Sequence, residues 1–163
     1  MKKSPFYLKN RPRRLRRNSN IRTLVRETTI SSSDLVQPVF IQFGKNVKTE
    51  ISSMPGIYRY SIDSVLSYAE SLLKCGISRI ILFGVPENKD ERGSDSLSDN
   101  GVIQKSIRIL KKEFPELYII SDVCLCEYTD HGHCGILNNN DVQNDITLQF
   151  LQNQAISHAS SGA

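Results

Sequence analysis

Three short apolar runs, each followed by a stretch with helical periodicity, constrain the fold more than any other feature of the sequence. The apolar runs span 35–41, 79–83 and 117–120, and the helical stretches span 61–74, 101–114 and 141–160. Strands that are apolar throughout and alternate with helices favour a parallel sheet whose faces are covered by helices. The sequence therefore predicts an α/β fold, either a doubly wound sheet or a (β/α)8 barrel.

The order of these elements also predicts how far the barrel extends. Residues 42–60 and 84–100 are expected to form loops, and three parallel strands are expected to leave both sheet edges unpaired. Gly162 fits the C-terminal end of a helix, and a complete barrel needs about 250 residues. We therefore expect residues 29–163 to form a partial TIM-barrel domain of about three strand–helix units, truncated before the fourth strand.

Residues 1–28 form a basic N-terminal arm. Ten of the 21 Lys and Arg lie in residues 1–26, which contain no Asp or Glu, whereas residues 27–163 carry 11 basic and 17 acidic side chains. Such an arm can extend over a partner subunit, remain solvated, bind nucleic acid or an anionic surface, or serve as a transit peptide. Neither interleaved aromatic residues nor zinc-finger spacing supports the nucleic-acid interpretation.

Composition narrows the class of protein. Hydrophobic residues make up 39% and charged residues 23% of the chain, as in globular proteins rather than disordered ones. Apolar runs stay well short of the 18 or so residues of a membrane span, and the start lacks the apolar segment of a secretory signal. We therefore expect a cytoplasmic protein with reduced thiols, whose four cysteines are core residues, metal ligands or reactive thiols.

The segment from Asp122 to Gly135 carries the chemistry. It holds three of the four cysteines and two of the three histidines. Cys124 and Cys126 alternate at the expected end of a strand and can project the same way, and Cys134 returns along a path eased by glycines. Three thiolates that converge favour Zn²⁺ with an open fourth position, as in catalytic rather than structural zinc sites.

Other interpretations remain open for individual side chains of this segment and for the fourth cysteine. Cys75 is expected to be a small core residue. His131 and His133 could be ligands or solvated side chains, and His133, beside Cys134, could orient a ligand or the substrate. Asp122 could transfer protons or act as a hydrogen-bonded anchor of the loop.

The motif Asp-Val-Cys-Leu-Cys-x-Tyr-Thr-x-His-Gly-His-Cys-Gly resembles the zinc-site motif of the porphobilinogen synthase, or 5-aminolevulinate dehydratase, family. The resemblance extends along the chain. It includes Arg11–Arg14, Ser53–Gly56, Leu82–Pro86 and Asp90–Ser94.

The resemblance implies a (β/α)8 barrel with an N-terminal arm that embraces a neighbouring subunit, commonly in a homo-octamer. It implies a lyase of heme and porphyrin biosynthesis, which condenses two 5-aminolevulinate molecules to porphobilinogen. Cys124, Cys126 and Cys134 fall on the ligand positions of zinc-dependent members, so Zn²⁺ is the expected cofactor. With the arm assigned to subunit contact, neither nucleic acid nor a membrane is an expected partner.

Two departures from the family pattern qualify this interpretation. Glu127 stands where relatives usually carry proline. The family's two Schiff-base lysines lie on later barrel strands, so we expect residues 1–163 alone to be inactive. The alternatives are a non-catalytic remnant or complementing fragment and, in a different class, a basic-armed zinc-binding module that contacts nucleic acid.

Overall fold

The computed structural model describes residues 9–163, in two units. The first unit ends at Ser31 and the second comprises Ser32–Ala163. The predicted boundary after residue 28 stays a prediction, and residues 1–8 of the predicted arm lie outside the described residues.

The described part of the first unit contains helical turns rather than a uniformly extended arm. A 3-10 helix spans Pro12–Arg16 and helix α1 spans Ser19–Leu24. Pro12 begins the first of these, where its fixed φ suits a helix start. Asn18 caps α1, since its Oδ1 accepts a hydrogen bond from the amide of Ile21 at 2.9 Å.

A five-stranded sheet forms the centre of the second unit. Its strands are β1 (Gln37–Gln42), β2 (Lys48–Glu50), β3 (Tyr58–Tyr60), β4 (Arg79–Val85) and β5 (Tyr118–Ser121). Their order is β2-β3-β1-β4-β5, and only β2 is antiparallel to its neighbour. The predicted parallel arrangement of the three apolar runs is therefore confirmed.

The prediction of a loop over residues 42–60 was wrong. The prediction that the three apolar strands leave both of their outer edges unpaired was also wrong, because one of these edges is paired. Strands β2 and β3 lie in this segment, and β3 pairs with the outer edge of β1. Each of these strands has only three residues, too few to show an alternating pattern. At the other edge, β5 has β4 as its neighbour in the described sheet.

Three further helices cover the sheet or flank it. They are α2 (Ser64–Lys74), α3 (Val102–Glu113) and α4 (Asn144–Ser161). The predicted helix over 141–160 began too early, because Asp141 belongs to a hairpin formed by β6 (Leu137–Asn138) and β7 (Asp141–Val142). Asn139 and Asn140, both with positive φ, form its two-residue turn. Gly162 ends α4 in the left-handed conformation, as predicted.

The hydrophobic core lies between the sheet and helices α2 and α3. Val39 and Ile41 of β1 and Ile80 and Leu82 of β4 are almost fully buried. The remaining buried members are Tyr60, Val65, Ala69, Leu72, Val102, Ile103, Ile107, Leu110, Leu117 and Ile119. Among residues 9–163, none of the helices has the length and apolar character needed to cross a membrane.

Candidate metal centre

The segment 122–136, which we call the metal loop, leaves the carboxyl-terminal edge of the sheet directly after β5. The amide of Asp122 donates to the carbonyl of Leu82 at 3.1 Å, which extends the pairing with β4 by one bond. Further along, Thr129 forms a parallel bridge with Asp90, which lies in the loop after β4. The loop is thus held against the segment that follows the neighbouring strand.

The three cysteines of the metal loop converge. The sulfur atoms of Cys124, Cys126 and Cys134 all lie within 4.8 Å of one another, and the Sγ atoms of Cys124 and Cys126 are 3.2 Å apart. Burial, together with the adjacent Cys124 and Cys134 sulfurs, raises the pKa of Cys126 to about 12. The side-chain hydrogen bond from Cys124 is the main cause of a raised pKa at Cys134. A cluster of this kind could hold a metal ion.

The backbone that brings the first two thiols together is a turn rather than the predicted strand end. Strand β5 ends at Ser121, before both cysteines. The carbonyl of Leu125 accepts the amides of Tyr128 and Thr129, each at 2.9 Å, and the Leu125 side chain is fully buried. The cysteines therefore flank a buried leucine at the start of a tight turn.

Glycines allow the loop to return to Cys134, as predicted, but each acts differently. Gly132 has φ +73°, which favours glycine. Gly135 is needed for space, because a Cβ atom there would lie 2.5 Å from Val142 and 2.7 Å from the hydroxyl of Thr147. The next amide, that of Ile136, donates to this hydroxyl at 3.0 Å.

Two carboxyl groups accompany the thiols. Burial raises the pKa of Asp122, and burial together with the charge of Asp122 raises the pKa of Glu127 to about 7. The amide of Gly84, at the end of β4, donates to Glu127, and the charge of Lys89 acts in the same direction to lower its pKa. Both carboxyl groups therefore belong to the edge of the sheet from which the metal loop emerges.

The three histidines occupy different environments. The ring of His131 accepts the amide of His133 at 3.1 Å, and the two rings lie 5.5 Å apart. His133 is exposed, and its carbonyl accepts the Thr129 hydroxyl at 2.9 Å. His158, on α4, is 1% exposed and lies 3.0 Å from the hydroxyl of Ser121. A role of His133 in orienting a ligand stays a prediction.

The prediction for the fourth cysteine was wrong. Cys75 is exposed rather than part of the core. It lies at the C-terminal end of α2, where the chain turns away at Gly76 with φ +78°. Because Cys75 is the residue that ends α2, its side chain lies outside the apolar face that the helix turns toward the core.

Sequence reasoning missed the polar residues of α4 that contact the metal loop. Gln154 is fully buried and its amide nitrogen donates to the carbonyl of Cys124 at 3.2 Å. Thr147, which also contacts the loop, and His158, which contacts Ser121 at the end of β5, are buried as well. Thr147 lies seven residues before Gln154 and His158 four residues after it, so the sequence places all three on one face of a helix. Nothing in a single sequence, however, shows whether a polar face of a helix is buried or exposed.

Comparisons with known proteins agree on one family. The family model for delta-aminolevulinic acid dehydratase matches residues 9–163. Proteins of that name from Ruminiclostridium josui and Methanothermus sociabilis are each 50% identical over 153 residues, or 94% of this chain. The chain spans 75% of the first relative but only 48% of the second.

A solved structure supports the same relationship. It is delta-aminolevulinic acid dehydratase (porphobilinogen synthase) from Toxoplasma gondii ME49 in complex with the reaction product porphobilinogen, with a TM-score of 0.91 and 32% identity. The match covers 96% of this chain and 45% of that chain. The chain thus spans about half the length of most of these relatives, and the prediction that it has the fold of part of a TIM barrel is confirmed.

Proposed function

The chain belongs to the delta-aminolevulinic acid dehydratase family, and on that premise we propose that it serves the condensation of two 5-aminolevulinate molecules to porphobilinogen. This is a lyase reaction of heme and porphyrin biosynthesis. The observation that carries the proposal is the convergence of three thiols at the carboxyl-terminal edge of a parallel sheet. In TIM-barrel enzymes that edge carries the active site.

The donor set fits Zn²⁺. A tetrahedral zinc with Zn–S bonds of about 2.3 Å requires sulfur atoms about 3.8 Å apart, and the three thiols lie within 4.8 Å of one another. Partial burial, together with the neighbouring Cys124 and Cys134 sulfurs, raises the pKa of Cys126, and a bound divalent cation would stabilise the thiolate form. When bound, zinc would supply a Lewis acid that polarises a substrate carbonyl.

The neighbouring carboxyl groups supply proton-transfer capacity. Asp122 follows β5 directly, and burial brings the pKa of its carboxyl group closer to neutrality. Glu127, with a pKa raised to about 7, can hold a proton at the pH at which a general acid is useful. We assign Asp122 to proton transfer at the substrate, and His133 to orientation of the cysteine that follows it.

The lysines among residues 9–163 lie on β2, on helices and in loops, and Lys89, in the loop after β4, acts through its charge on Glu127. Lys48 is on β2, where it lies over the ring of Tyr58, and Lys74 pairs with Glu70 on α2. Lys111 donates to the carbonyl of Leu117 at 2.8 Å. Strands β1, β4 and β5 contain no lysine. Because the Schiff-base lysines of the family lie on later barrel strands, we assign Schiff-base formation with 5-aminolevulinate to those strands.

The remaining assignments concern the assembly. Apolar side chains on the arm are exposed, among them Leu24 at 84% and Leu15 at 49%. Exposed apolar groups of this kind suit a contact with another subunit. We therefore assign the arm to the subunit interface of a homo-oligomer, which the family resemblance makes an octamer. From the same resemblance we assign the protein to the cytoplasm.

The experiment measures zinc and turnover on the same samples. The 163-residue chain should hold about one zinc, and Cys124→Ser, Cys126→Ser and Cys134→Ser should each lower the zinc content, whereas Cys75→Ser should keep it. Mixed with the part of the Methanothermus sociabilis relative that this chain does not span, it should form porphobilinogen, and the Cys134→Ser chain should not.

Two results would contradict the proposal in different ways. Full zinc content in the three cysteine variants would refute the metal centre. Zinc binding by the wild-type chain without turnover in the mixture would leave a metal-binding remnant and refute the catalytic assignment.

A further inference from the structure

Helix α4 contacts the metal loop beside both its first and its last cysteine. Near the first, the amide nitrogen of Gln154 donates to the carbonyl of Cys124 at 3.2 Å. Near the last, the hydroxyl of Thr147 accepts the amide of Ile136 at 3.0 Å. The two contacts thus fix the backbone at the two ends of the stretch that carries the thiols.

These two helical residues form a rigid pair. They are seven residues apart, which places them on one face of the helix and about 10 Å apart along its axis. Gln154 is 0% and Thr147 5% exposed, so neither side chain is free to move away from its partner into solvent.

The position of α4 is fixed independently of the loop. Gln104 of α3 donates to the hydroxyl of Ser157 at 3.1 Å, and Arg108 of α3 donates to the hydroxyl of Ser161 at 3.1 Å. The helix is therefore anchored on α3 and presents Gln154 and Thr147 as two fixed points to the loop.

Fixing these two points constrains the thiols. The bond to the carbonyl of Cys124 sets the plane of the peptide that follows this cysteine. On the other side, Gly135 lies so close to Thr147 that a Cβ atom would be 2.7 Å from its hydroxyl, which fixes the residue that follows Cys134. Mutation of a group that holds a metal ligand in place commonly lowers the metal affinity by about 10- to 100-fold.

We infer that Gln154 and Thr147 are positioning residues of the metal centre, which set the separation of Cys124 and Cys134 for a tetrahedral ion. The inference rests on the metal centre of the proposed function. It assigns to α4 a role in metal affinity and coordination geometry that is separate from its packing on α3.

The test uses Co²⁺ as the probe, because its visible absorption reports coordination geometry and its thiolate charge-transfer bands report bound sulfur. Thr147→Val and Gln154→Met each remove one hydrogen bond to the loop with little change in shape. Ser106→Ala is the matched control, because this hydroxyl is also fully buried but bonds the carbonyl of Val102 within α3 instead. Chelator competition gives the Co²⁺ dissociation constant, and circular dichroism gives the folded fraction.

Thr147→Val and Gln154→Met should each raise the dissociation constant of the folded protein by about tenfold or more and shift the visible bands. Ser106→Ala should lower the melting temperature and leave the dissociation constant and the bands unchanged. Equal constants and bands in all four proteins would overturn the inference, as would constants that rise in all three variants only in step with unfolding. Absence of thiolate-bound Co²⁺ in the wild-type chain would instead refute the metal centre itself.

Discussion

Two contacts within the second unit differ in the chemistry of their buried residues. Between the sheet and helices α2 and α3 the buried residues are apolar, with Ile80 and Leu82 fully inaccessible. Where α4 meets α3 and the metal loop, the buried residues include Gln104, Gln154 and His158. The apolar contact supplies non-directional stability, whereas the polar contact fixes atoms at defined positions through hydrogen bonds, which a metal site requires.

The exposed side of α4 completes this contrast. The helix leaves Ile146, Leu148 and Ile156 exposed, at 44%, 55% and 55%, while it buries Thr147 and Gln154. A helix that only filled a core would do the reverse. Helix α4 is therefore placed by its polar contacts with α3 and the metal loop.

Substitutions in the apolar contact should change the free energy of unfolding most. Ile80→Ala removes a fully buried side chain from β4 and should lower the free energy of unfolding by about 2–5 kcal/mol, through lost burial and the cavity left behind. Urea unfolding followed by circular dichroism measures this change. A loss below about 1 kcal/mol would show that this contact is not the stabilising core.

The polar contact should instead make stability depend on pH through His158. Burial lowers the pKa of this side chain to about 4, from 6.5. Between these two pH values the unfolded chain binds a proton that the folded chain does not. The contribution of neutral His158 to the free energy of unfolding is therefore complete above pH 6.5. As the pH falls to 4, roughly 3 kcal/mol of that free energy is lost.

The measurement is the free energy of unfolding against pH, with chelator present, for the wild-type chain and His158→Asn. The variant keeps a hydrogen-bond acceptor for Ser121 but has no group that titrates in this range. The difference between the two proteins should shift by roughly 3 kcal/mol between pH 7 and pH 4. Parallel curves would mean that His158 is not buried in its neutral form.

A smaller effect is expected from the bonds that join α3 and α4. Gln104→Met should lower the free energy of unfolding by about 1–3 kcal/mol, because it removes a donor from the carbonyl of Ser96 and from Ser157. Urea unfolding measures the loss. An unchanged or higher stability would show that an apolar contact serves equally well there and would weaken the contrast between the two regions.

The smallest effect is expected on the outer face of α4. Ile156→Ala makes the same chemical change as Ile80→Ala, but the side chain is 55% exposed, so the free energy of unfolding should change by no more than about 0.5 kcal/mol. A loss comparable to that of Ile80→Ala in the same urea experiment would mean that a partner covers this face in solution.

The apolar half of the fold was predictable, and the reason lies in particular strands. Ile80 and Leu82 lie in a continuous apolar run, and the spacing of Val65, Ala69 and Leu72 marks α2, so β4 and α2 were placed within three residues. Strands β2 and β3 were missed because three residues carry no periodicity. The hairpin at residues 137–142 was missed although Asn139-Asn140 is a recognised turn signal.

The metal centre was predictable in its ligands but not in its supports. Clustering of Cys124, Cys126 and Cys134 in the sequence indicated that the thiols converge, even though the structure brings them together by a turn rather than a strand end. Gln154 and Thr147 could not be identified, because their importance depends on which side of α4 faces the loop. That orientation is set by tertiary hydrogen bonds rather than by the hydrophobic pattern.

The ligands of bound zinc distinguish a site formed by the three thiols from any other zinc site on this chain. X-ray absorption at the zinc K edge of the zinc-loaded chain should give three sulfur neighbours at about 2.3 Å and one oxygen or nitrogen neighbour at about 2.0–2.1 Å. Cys134→Ser should lower the sulfur count, and Cys75→Ser should leave the spectrum unchanged. A first shell of oxygen and nitrogen alone, or the same sulfur count in both variants, would contradict a metal centre formed by Cys124, Cys126 and Cys134.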